Sequence, residues 1–390
     1  MTLVKYVDRK NTNCVKWDNL SNMYSCDCLL AMWVADMDFA VPECVTEALH
    51  KYVEEGAFGY YCVPDCYYQS FINWEKNYHG YEVKKEWIRF SPGVVAAFNW
   101  IVQFKTKPGE AVIVNTPVYY PFMNAVKDSG RKLVTSDLIN ENGAYRIDYH
   151  DFEQKIVDNE VKLFILCSPH NPVGRVWKRE ELKTILDICR KHHVYVISDE
   201  IHHDLVYGDN VHVPSLTVGD YDDMVFMLTA PSKTFNLAAC QNSIIVIPDE
   251  KLRNKWDAFV DVLHVNSGNS FGYVAAKAAY EGGREWLNEV LDVIKGNYDY
   301  LKARIETELP NAVASELEGT YLTWIDLRAY LKPEEMKSFM EEKCGLAFDY
   351  GDWFGGEDYA CFIRMNLATS RENVACAVDR IVEQLNEVCK

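Results

Sequence analysis

The sequence has 390 residues, 48% of them hydrophobic and 25% charged, an ordinary globular composition large enough for two domains. Lys and Arg number 40 against 58 Asp and Glu, and the formal charge of -18 repels nucleic-acid phosphates and anionic lipid, which excludes both as bulk partners. No apolar run approaches the length of a membrane span and the opening MTLVKYVDRKNTNC lacks a signal peptide's apolar core, so a cytoplasmic protein is expected.

The first 45 residues carry little regular pattern and read as an arm that wraps across the surface, part of it joining a second domain. The 13 cysteines are odd in number and scattered, which reads as buried free thiols, and Cys26-Asp27-Cys28 is too close for zinc spacing. The strand-like WIRF then leads into Ser91-Pro92-Gly93-Val94-Val95, where an apolar helix opens. Unsatisfied N–H groups and the positive end of the dipole suit such a start to phosphate, and Gly93 permits close approach.

From here short β-rich runs alternate with helical patterns: AVIVN at 111–115, KLVTS at 132–136, LFILC at 163–167, VYVIS at 194–198, VFMLT at 225–229 and SIIVI at 243–247. Between the third and fourth, Leu182, Ile185, Leu186 and Ile188 recur at near-helical spacing, which makes a βαβ unit. The expected fold is α/β, a mainly parallel sheet covered on both faces. SIIVI, followed by Pro248, is expected as an edge or antiparallel strand. After about residue 285 a long amphipathic helix, YLTWIDL, a helix near 333–343, FIRMNL and a final helix from 371 suggest a smaller α+β domain. The expected division is an arm at 1–45 that partly joins the small domain, a large cofactor-binding domain at 46–284 and the small domain at 285–390.

Three polar residues lie at the carboxyl ends of these runs: Asn171 after LFILC, Asp199 after VYVIS, and Lys233 after VFMLT. Ligands of open α/β sheets sit outside those ends, so the three converge on one site. Pyridoxal phosphate needs a lysine for its aldehyde carbon, an acid at its ring nitrogen and a donor at its phenolic oxygen, and Lys233, Asp199 and Asn171 supply these. Ser232 adds a hydroxyl donor for phosphate. No G-x-G-x-x-G opens a βαβ unit, which argues against a nicotinamide enzyme.

The motifs SPHNPVG, SDEIHHD and PSKTFN, with WVADMDF near the start and FIRMNLATSRE near the end, resemble fold-type I pyridoxal-phosphate enzymes of the class I/II aminotransferase family. They are more closely similar to its MalY/PatB-type cystathionine β-lyase (carbon–sulfur lyase) branch, over about residues 28–388. The resemblance implies the type I transferase-like fold and the roles already given to Lys233, Asp199 and Asn171. It further implies that Tyr119 packs on the cofactor ring and assists elimination, and that Arg364 clamps the substrate α-carboxylate, helped by the backbone of Ala35. Tyr60 matches a tyrosine that reaches the phosphate of a neighbouring subunit, which implies a homodimer with shared sites.

Two departures matter. Eight residues after the lysine, where many aminotransferases have a phosphate-binding arginine, stands Gln241, and three after the aspartate, where many have tyrosine, stands His202. The phosphate then leans on Gly93, Val94, Val95, Ser232 and Tyr60. His202 beside the cofactor fits the lyase branch better than the transaminases. His192, His193, His202, His203 and His212 do not have metal-ligand spacing, so no metal is expected. The expected activity is α,β-elimination of L-cystathionine or related cysteine S-conjugates to thiol, pyruvate and ammonia. An aminotransferase using the same residues is the alternative, and a regulatory protein on this scaffold is less favoured because the cofactor set is intact.

Overall fold

Strands rich in branched apolar residues on both sides are stable only where both faces are covered. The computed structural model, which describes residues 2–388, places them so. Seven strands, β1 (Ile88–Ser91), β2 (Ala111–Thr116), β3 (Lys132–Asp137), β4 (Leu163–Cys167), β5 (Tyr195–Asp199), β6 (Val225–Thr229) and β7 (Ser243–Val246), form one sheet. Their order is β1-β7-β6-β5-β4-β2-β3, parallel from β6 to β3. SIIVI is antiparallel to both its neighbours, but it is not an edge: WIRF, as β1, lies outside it. The edge at β3 alternates buried and more exposed residues, whereas β2, β4 and β6 are buried throughout.

Alternate strand residues face opposite layers. Val112, Ile165, Ile197 and Phe226 pack with Phe98 and Ile101 of α1 (Val94–Lys105) on one face. On the other, Ile113, Phe164 and Val196 meet Leu182, Ile185, Leu186 and Cys189 of α2 (Arg179–Lys191). Glu180 and Glu181 in the first turn of α2 and Arg190 and Lys191 in its last complement the helix dipole.

A second sheet, ordered β8-β9-β11-β10, is antiparallel: β8 (Val313–Ala314), β9 (Leu322–Asp326), β10 (Asp349–Tyr350) and β11 (Phe362–Asn366). Helices α3 (Arg284–Glu308) and α4 (Arg371–Val388) accompany it. Among the described residues no helix is long and apolar enough to cross a membrane.

The N-terminal arm is more embedded than a surface wrap. Trp17, Leu20, Met32, Trp33 and Met37 are buried, and Leu30–Ala31 pairs in parallel with Leu346–Ala347. Lys16 and Asp38 form a wholly buried ion pair at 2.6 Å, with Trp17 Nε1 donating to the same carboxylate at 2.8 Å. Removing one partner of such a pair strands a buried charge, at a cost of about 3–5 kcal/mol. The cysteine reading also needs correction. Cys26 and Cys28 are joined as a disulfide, and Cys62 and Cys66 are exposed rather than buried.

Candidate active site

In the sheet's register Cys167 lies opposite Asp199, and Asp199 opposite Leu228, so the chain leaves β4, β5 and β6 along one edge. Because β7 reverses direction, β1 runs the same way as β6, and its carboxyl end delivers Gly93 to that edge too. The result is a cavity of about 740 Å³ walled by Gly93, Val94, Val95, Tyr119, Asn171, Asp199, His202, Ser232, Lys233 and Ala35, all positions singled out in the sequence. Arg364 stands behind this wall, donating from Nη1 to Asn171 Oδ1 at 3.0 Å. Tyr60 is not in the cavity; its side chain is fully exposed on the surface.

Lys233 follows the turn that β6 makes into Pro231–Thr234. Its Nζ donates to the carbonyl of Ala35 at 2.7 Å, and burial pushes its pKa down to about 8, against the pull of Asp36 and Asp199. Asp199, at the end of the central strand, accepts one hydrogen bond on Oδ1 from the Ile201 N–H at 3.1 Å. Its Oδ2 has no partner among the described residues, and burial raises its pKa to about 7. A cation beside that oxygen restores the charge that burial opposes. Asn171 spends Oδ1 on Arg364, while its Nδ2 donates to nothing among the described residues. His202 is held neutral by burial and by the nearby charges of Lys233 and Arg364. The Tyr119 phenol is pushed upward by burial and stays protonated.

One end of the cavity lies at the start of α1. A Cβ built on Gly93 meets no protein atom within 4 Å, so the space in front of those N–H groups is open. Gln241 is exposed and does not line the cavity, but Asn242 beside it does. Asn242 Oδ1 accepts from Tyr67 at 2.8 Å, and its buried Nδ2 has no partner. Pyridoxal phosphate fits this donor set: an amine, an unpaired carboxylate oxygen, an unpaired amide and an open helix start are the groups it requires.

The arm completes the wall. Asn366 Nδ2 on β11 holds the carbonyls of Val34 and Asp36 at 2.7 and 2.8 Å, and Asn236 Nδ2 holds those of Met37 and Phe39 at 3.1 and 2.9 Å. Ala35 is thereby fixed between Lys233 and the second sheet.

Two groups escaped the sequence reading. Asp349, opposite Arg364 in the β10–β11 register, forms a buried ion pair with its Nη2, and burial raises the Asp349 pKa. Beneath the site, Glu75, His79 and His203 bring ligand-type atoms within 4.8 Å of one another. Nothing local in the sequence marks Glu75 or His79. His202 and His203 do point apart, His202 into the cavity and His203 toward Asp204 at 3.0 Å. Asp204 also binds His79 at 2.8 Å and Thr234 at 2.7 Å, so this carboxylate already occupies Nε2 of each histidine.

Residues 33–381 match the family model described as aminotransferase class I and II. The cystathionine beta-lyase PatB of Bacillus subtilis (strain 168) is 39% identical, over 99% of this chain and 100% of its own length. Among solved structures, cystalysin from Treponema denticola, which contains a pyridoxal 5'-phosphate cofactor, superposes with a TM-score of 0.94 at 35% identity, over 99% of this chain and 98% of that one. The pyridoxal-phosphate-bound C-S lyase from Staphylococcus hominis superposes at 0.92 with 33% identity, over 98% and 97%.

Proposed function

The chain belongs to the class I and II aminotransferase family, and from that premise we propose that it is a pyridoxal-phosphate carbon–sulfur β-lyase. It takes an amino acid with sulfur at the β position and, with one water, yields thiol, pyruvate and ammonia. The convergence of Lys233, Asp199 and Asn171 on one cavity carries the cofactor chemistry, which an aminotransferase would share, and His202 beside them, where many aminotransferases have tyrosine, carries the choice of lyase. The similarity to C-S lyases over nearly the whole chain supports it.

When bound, pyridoxal phosphate stores the electron pair left on the substrate's Cα, provided its ring nitrogen stays protonated. Asp199 holds that proton in place. Lys233 Nζ takes the Cα proton, and a pKa of about 8 leaves roughly a tenth of it as free amine at neutral pH, against a few parts in ten thousand for an ordinary lysine. Arg364 receives the α-carboxylate through a guanidinium already aimed by Asp349 and Asn171. Asn171 Nδ2 serves the phenolic oxygen, and Tyr119 packs on the ring. The N–H groups of α1, Ser232 and Asn242 hold the phosphate where Gln241 replaces arginine, and Tyr60 of a second copy completes that cradle in a homodimer.

The test is a pyruvate assay with L-cystathionine and no added keto acid. Steady pyruvate release is expected. Amino transfer to 2-oxoglutarate without pyruvate would overturn the lyase reading in favour of an aminotransferase.

A further inference from the structure

A second cavity shares Lys233, Ala35 and Ala238 with the first and leads outward between the arm and the Asn236 loop. Besides Lys233, its walls carry a cation and an anion side by side, Arg9 and Asp36. Arg9 Nη1 donates to Asp36 Oδ2 at 2.6 Å and to the Met37 carbonyl at 3.0 Å. Arg9 Nη2 and Nε and Asp36 Oδ1 have no partner among the described residues, and the two side chains are 26% and 21% exposed. The pair therefore presents a spare pair of N–H donors beside a spare carboxylate oxygen. That pattern is complementary to a carboxylate and an ammonium on one carbon, and guanidinium takes carboxylate in a fixed two-point geometry.

The pair adjoins the site. Lys233 Nζ touches the carbonyl of Ala35 at 2.7 Å, and Asp36 is the next residue, about 3.8 Å further along the backbone. A structural role for the pair has little to add. The arm is already fastened by the buried Lys16–Asp38 pair and by Asn366 and Asn236, and a partly exposed ion pair adds little to that.

We propose that Arg9 and Asp36 recognise the far end of a substrate carrying an amino-acid head group at both ends with sulfur between them, as L-cystathionine and L-cystine do. This rests on the lyase reading and names two further specificity residues of the same site. The near head group goes to Arg364 and Lys233, and the far one to Asp36 and Arg9.

The test compares kcat/KM for pyruvate release from L-cystathionine and from S-methyl-L-cysteine, which has no far head group, in the wild-type holoenzyme and in Arg9→Gln. Losing a charge-assisted two-point contact is expected to lower the ratio of the two values at least about tenfold. Arg9→Lys, which keeps one donor for Asp36 but loses the second face, is expected to lower the ratio as well, with the visible absorbance of bound cofactor unchanged. A ratio that stays constant in both variants, including a parallel fall for both substrates, overturns the inference and leaves the lyase reading standing. No pyruvate from either substrate in the wild type overturns both.

Discussion

Glu75 is wholly buried with neither carboxylate oxygen hydrogen-bonded, 3.8 Å from His203, and burial raises its pKa to about 8. The folded chain therefore keeps a proton that the unfolded chain releases near the ordinary value of 4.5. Its contribution to stability is intact below that value and is lost as pH rises toward 8. Glu75→Gln is expected to flatten this slope, so that between pH 5 and 8 the wild type loses on the order of 2–4 kcal/mol relative to the variant, as read from urea unfolding at the two pH values. Identical slopes would mean Glu75 shares its charge within the His79–Asp204–His203 group. At this scale the sequence was most legible where a polar residue ends an apolar run, as Asn171, Asp199 and Lys233 do. Asp349 and Asn242 were not legible, because their meaning comes from a cross-strand neighbour and a cavity wall, and neither leaves a local pattern.

Among the elements, the start of α1 separates stability from binding. Since a Cβ at Gly93 meets no protein atom and its φ of 170° is extended backbone open to any residue, Gly93→Val should fold with little change in thermal midpoint. The added methyls enter the space where phosphate approaches the helix, so affinity for pyridoxal phosphate, titrated by absorbance, is expected to fall at least about tenfold. The central strands were readable because burial on both faces leaves a continuous apolar run. The place of β7 was not, because Pro248 marks where a strand stops and says nothing of what lies beside it. The arm was misjudged for a related reason. Trp17, Trp33 and Met37 are buried one at a time in pockets made by other segments, and such burial has no period.

For the whole molecule, the exposed Tyr60 lies among further exposed or half-exposed aromatics, with Phe58, Tyr52 and Phe271 in mutual ring contact. If two copies share sites as proposed, Tyr60→Ala and Lys233→Ala damage different halves of one site. Mixed dimers of the two variants should then regain pyruvate release that neither variant has alone. Mixtures as inactive as their components would mean that Tyr60 does not serve the neighbouring copy's site. The dimer was legible only through the resemblance, since an exposed tyrosine by itself marks nothing.

The meeting of Arg364 with the Trp33 carbonyl at 3.5 Å joins residues 331 positions apart. At a synthesis rate of about 5–20 residues per second, roughly 15 s to a minute passes between the emergence of one and of the other. Through all of that time the arm has no Asn366 to hold it, and for roughly the last 7–26 s of it Lys233, already made, has no Arg364 or β11 near it. A nascent chain can thus carry the reactive amine well before it carries the pocket that restrains it, and capture of the cofactor in working geometry belongs to the finished polypeptide.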